Sequence, residues 1–158
     1  MNKLICASGV ALLATASAAF AADTEYKGTW CGHSRATVLV SSPELTVLGS
    51  ETWAIEIPGS IPKTLESATV RCVGYTRVMQ GKATSTSACR FTDSTGDTFT
   101  GEAQQVPDKP NVWTFLGGTG KWKGVQGTGT YQFVSRGKPA ADGSSELCLQ
   151  HTGTYTLP

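Results

Sequence analysis

Toward its C-terminal end the chain alternates cleanly. Leu147, Leu149, His151, Gly153, Tyr155 and Leu157 fall on one phase, with Cys148, Gln150, Thr152, Thr154 and Thr156 on the other. A period of two sends successive side chains to opposite faces of a pleated strand, so this segment has one largely apolar face and one polar face. Shorter runs of the same kind cover residues 35–40, 52–57, 69–79, 83–91, 98–104, 112–116 and 128–135, and with the last run they predict eight strands. Trp53 shares a phase with Ile55 and Ile57, which assigns it to the core. The one helical hint is Ser41-Ser42-Pro43-Glu44, where a serine cap and an early proline could start a single turn.

Composition supports strands over helices. Residues 22–158 hold 21 Thr, 10 Val and 3 Ile against 17 Ala plus Leu, and β-branched side chains suit a pleated surface better than a helix. Eight short strands, each with one apolar face, must cover that face by closing into a barrel or by stacking two sheets. A closed, eight-stranded antiparallel barrel is the expected all-β architecture. Its interior is wide enough for side chains or one small ligand.

The N-terminus reads differently. Lys3 is followed by a run of apolar and small residues to Phe20, and Ala19-Phe20-Ala21 gives a small-x-small cleavage site before Asp23. The expectation is a signal peptide over 1–21, with Cys6 leaving in it, and a single barrel domain over 22–158 that has no membrane span. Lys3 is the only charge in the leader, so the remainder is formally neutral, with 12 acidic residues and as many basic ones. That balance argues against nucleic acid as a partner. Periplasmic or extracellular localisation follows.

Four cysteines then remain, and an even number in a small exported domain points to two disulfides, with three connectivities open. A two-residue turn at Gln80-Gly81 would set Cys72 and Cys89 directly opposite each other, inside disulfide range. Cys31 then takes Cys148, tying the first strand to the last.

Six glycines fall between 117 and 129. A phosphate loop ending at Gly120-Lys121 would need Gly at 115 and Ser or Thr at 122, where Phe115 and Trp122 stand. Gly117, Gly118, Gly120, Gly124 and Gly127 are instead expected to make a tight structural corner between strands. Gly117-Gly118-Thr119-Gly120-Lys121-Trp122-Lys123-x-x-x-Gly127 resembles the glycine-rich segment of dirigent proteins and the related segment of allene oxide cyclases. Small exported bacterial proteins of undefined role carry similar segments. The likeness covers residues 111–131 and implies a calycin-type eight-stranded barrel with an apolar cavity for a hydrophobic small molecule. No acidic active-site residue of those families has a matching position here, so no catalytic assignment comes with it. Gly28-Thr29-Trp30 is similar to the Gly-x-Trp that opens lipocalin-type and avidin-type barrels.

Candidate chemistry is sparse. His151 faces the apolar side of the last strand and could serve as a general acid or base, although no partner can be named from the sequence. Trp113 and Trp122 flank the glycine corner and would either line a cavity mouth or plug one barrel end. With Tyr155 and His151 they form the candidate ligand set. Asp93, Asp97 and Glu102 offer oxygen ligands without EF-hand spacing, and a plain turn between Phe91 and Phe99 explains them as well. Cys31-x-His33 suggests zinc only if the cysteine is unbonded. No metal and no cofactor is expected. Arg136-Gly137-Lys138-Pro139 reads as an exposed basic loop. Three functions stay open: a non-catalytic barrel holding a small hydrophobic ligand, a cyclase or isomerase-like enzyme, and a protein-binding or inhibitor module. The sequence does not set the oligomeric state.

Overall fold

The computed structural model describes residues 22–158. The leader expected over 1–21, including Cys6, lies outside the described residues. Eight antiparallel strands follow one another around a closed barrel: β1 (Thr24–Ser41), β2 (Leu45–Glu56), β3 (Thr69–Met79), β4 (Lys82–Thr92), β5 (Thr98–Gln105), β6 (Asn111–Gly118), β7 (Gln126–Arg136) and β8 (Ser144–Thr156). Every strand pairs with its neighbour in sequence, and β8 returns to β1 to close the ring. Among the described residues no helix is long and apolar enough to cross a membrane.

The hairpin at Gln80-Gly81 sets the register of the β3–β4 pair. Both residues have positive φ, 50° and 76°, as a two-residue turn matched to the twist of its strands requires. Cys72 therefore lies opposite Cys89, and the two are bonded inside the barrel. Cys31 lies opposite Cys148 across the β1–β8 seam, and that bond is on the outer face. Both pairings agree with the expectation from the sequence.

Three expectations need correction. β1 begins at Thr24 and β2 at Leu45, well before the alternating runs that announced them. The early part of β1 is needed to pair with β8, and its Gly28 and Gly32 break the apolar alternation that would reveal it. Ser41–Glu44 forms no helix. It joins β1 to β2, with the Leu45 N–H donating to the Ser42 hydroxyl. Trp53 is not core: it lies on the outer face and stacks on His33 with ring centroids 5.4 Å apart, while Ile55 is 55% exposed. The inward phase of β2 is Ala54 and Glu56, because Trp30 already fills that layer and Glu56 finds buried partners there.

The two barrel ends differ, and the connections explain why. At one end the β2–β3, β4–β5 and β6–β7 connections fold inward. They bring Leu65, Ala68, Trp122 and Val125, all nearly inaccessible, over the strand ends. Beneath them Phe91 stacks on Phe99 at 4.6 Å, Phe99 meets Trp122 at 4.8 Å, and Tyr26 meets Phe115 edge-on at 5.3 Å. At the other end, no connection supplies a buried large apolar residue, and the interior stays open.

Candidate functional site

The open half is a cup of about 350 Å³. Ser34, Ser50, Thr52, Ser85, Ser87 and Ser145 put hydroxyl-bearing residues around its wall. Deeper in, Trp30, Leu147, Leu149, Tyr131 and Phe133 and the Cys72–Cys89 bond make an apolar waist. Burial pushes the Tyr131 phenol up to about 12 against a weaker opposing pull from Arg136, so it stays neutral across the physiological range. Below the waist lies a void of about 30 Å³, lined among others by Trp30, Phe91, Trp113 and His151. It shares Trp30, Cys89, Ala103, Tyr131 and Leu149 with the cup, so the two spaces are continuous in lining. About one water or one small functional group fits there.

His151 has the partner that the sequence could not name. Its Nε2 bonds the Glu56 carboxylate, whose other oxygen accepts the Ser60 hydroxyl at 3.0 Å. Glu56 is 1% exposed and His151 7%. They sit on β2 and β8, with β1 between them, and Gly28 of β1 lies where a side chain would block the contact. A Cβ there would stand 2.7 Å from both Glu56 Oε2 and His151 Nε2. The other imidazole nitrogen makes no hydrogen bond among the described residues. A carboxylate that fixes one imidazole nitrogen orients the ring for proton transfer at the other. Tyr26 packs beside the imidazole at 5.6 Å, its buried hydroxyl has no hydrogen-bond partner among the described residues, and burial pushes its phenol pKa up, so it stays neutral.

The sequence-derived ligand set divides. Trp113 and His151 both line the void, each packed against Phe91. Trp122 and Tyr155, 5.3 Å apart, lie in the plug and line neither the cup nor the void. Glu56 and Ser60 carry no signal in the sequence because the apolar phase of β2 points outward. The pairing of Cys31 with Cys148 carried a usable signal, since that register alone puts Gly28 opposite His151.

The glycine corner Gly117–Gly127 joins β6 to β7 around a short 3-10 turn at Gly120–Trp122. Gly120 has φ 54°, and a Cβ there would collide with the Asp97 carboxylate. The turn is clasped to the β4–β5 connection by Asp93. Asp93 Oδ2 accepts the Trp122 indole N–H at 2.7 Å and faces the Lys121 ammonium at 2.9 Å. Its Oδ1 accepts the Thr95 N–H and hydroxyl, each at 2.8 Å. Burial raises the Asp93 pKa, but the Trp122, Lys121 and Thr95 hydrogen bonds outweigh it and hold the group at about 2. The Lys121 ammonium thus takes the place beside Asp93 where a calcium ion would have to sit, and Glu102 lies apart on β5. Cys31 is bonded to Cys148, which removes the thiolate that zinc at Cys31-x-His33 requires. Among the described residues no cluster of three potential metal ligands occurs.

No family model matches this chain, and no curated protein does. Among solved structures it is similar to the pterocarpan synthase dirigent protein GePTS1, with a TM-score of 0.52 at 12% identity over 85% of this chain and 86% of that one. It is also similar to the pterocarpan synthase dirigent protein PsPTS1, with a TM-score of 0.51 at 12% identity over 85% and 95% of the two chains. At that identity the likeness is one of fold, and it places the chain among dirigent-like eight-stranded barrels.

Proposed function

We propose that this protein is an exported barrel that holds a small hydrophobic molecule in the open half of its interior, without acting on it chemically. The observation that carries the reading is the uneven filling of the barrel. One half is packed with aromatic rings, and the other is a 350 Å³ cup with an apolar waist, within the usual range for a small-molecule site. A neutral fluorescent naphthalene ketone should bind saturably and quench Trp30, and Ala103→Trp, which fills the waist, should abolish that binding with the circular dichroism unchanged. Failure of the wild-type protein to bind any such probe would sink the reading. Two disulfides support an oxidising compartment. Protein isolated from its host should accordingly begin near Ala22 and resist thiol alkylation until reduced.

A cyclase or isomerase-like activity is favoured by one specific feature, the Glu56–His151 pair at the deep end. There the imidazole can pass a proton to or from a group lodged in the void. A bound 2-acetylnaphthalene should then exchange its methyl protons for deuterium faster on the wild-type protein than on His151→Asn. Equal rates would reject this second reading.

A further inference from the structure

The cup is also polarised in charge. Among the described residues Arg136 is the single charged one in its lining, and no Asp or Glu contributes. Its guanidinium lies over the Phe133 ring, 3.8 Å from the centroid, which positions the exposed cation at the wall of the cup. Among the described residues no acid lies within ion-pair distance of it. The described ion pairs involve Lys82, Lys121 and His151, and the acid in the neighbouring loop, Asp142, is taken up by the Ser144 backbone N–H and hydroxyl. Deeper in, the walls are aromatic and aliphatic, and the His151 nitrogen nearest Glu56 is already bonded. A ligand with an apolar body and one charged end is therefore oriented by the lining, body inward and charge at the mouth.

Resting on the reading of the cup as a ligand site, we propose that it selects aromatic monocarboxylates, with the carboxylate on the Arg136 guanidinium and the ring against Trp30 and Leu149. The cup volume, about a dozen liquid waters, accommodates a bicyclic ring system. A planar guanidinium meets a carboxylate with two parallel N–H donors, and this offsets the loss of water from an anion entering a half-enclosed space. A neutral ligand gains nothing from that contact. A cationic one meets a like charge.

Three probes with the same ring system separate these cases by calorimetric titration: 2-naphthoate, 2-naphthalenemethanol and 2-naphthylmethylammonium. The acid should bind roughly tenfold tighter than the alcohol, and the ammonium most weakly, with the gap narrowing as salt rises. Arg136→Gln should bring acid and alcohol to equal affinity, and Arg136→Lys should keep part of the preference. Because Arg136 is exposed, neither variant threatens the fold. Equal affinity of acid and alcohol for the wild-type protein, or a preference that survives Arg136→Gln, would overturn charge selection while leaving the cup a ligand site. Absence of binding by all three would bring down the ligand-site reading and this inference together.

Discussion

Glu56 and His151 are 95 residues apart in sequence and touch only because a glycine stands between them on the intervening strand. Glu56→Ala leaves the buried imidazole and the Ser60 hydroxyl without their acceptor, so it should cost about 1–3 kcal/mol in urea unfolding. A double-mutant cycle with His151→Ala should return a coupling of at least about 1 kcal/mol, and additive losses would show that the two side chains act independently. Asp93 has a depressed pKa. Its folded value of about 2 lies below the ordinary 3.8, so its contribution is fully present above pH 4 and is lost as pH falls from about 4 to 2. The size is about 2 kcal/mol. Acid titration of the wild-type fold followed by tryptophan fluorescence should show this loss, and Asp93→Asn should flatten that part of the curve while weakening the protein at neutral pH. The sequence displays both aspartates of that turn and the five glycines of the corner, but not the hydrogen bond from the Trp122 indole to Asp93 that joins them.

At the scale of elements, the two disulfides should differ in weight. The Cys31–Cys148 bond closes a separation of 117 residues and the Cys72–Cys89 bond one of 17. Chain entropy then assigns them about 5 and about 3 kcal/mol. Paired Cys→Ser variants compared by denaturant midpoint should rank in that order, and the reverse order would mean that the seam is held by strand pairing more than by its sulfur bridge. Where alternation is strict and a turn fixes the register, as in β3, β4 and β8, the strands were legible in the sequence. They were illegible where glycine interrupts the alternation, as in β1. In β2 the period was readable and the direction was not, because a period of two says which residues share a face but not which face is inside.

Across the whole molecule, packing is graded along the barrel axis. The plug carries the aromatic contacts, whereas the β1–β2 hairpin projects past the β1–β8 pairing, which stops at Arg35, and leaves Val38, Leu39 and Val40 exposed. Amide exchange should follow that gradient. The amides of Phe91, Phe99 and Phe115 should open only with global unfolding and those of Thr37–Leu48 by local fraying, and uniform protection would contradict the gradient. The cavity is open at one end and sealed at the other, so access to it runs through the cup.

The amino-acid sequence by itself determined the strand period and the number of strands and pointed to one pairing of the four cysteines, because these depend on local alternation and on counting from one tight turn, whereas the closure of the ring is a property of the tertiary structure. Only the tertiary structure decided which half of the barrel is hollow, that Trp122 and Tyr155 belong to the plug, and that Glu56 meets His151. Each of these depends on how distant connections fill or leave the interior, and no local pattern encodes what lies across a barrel.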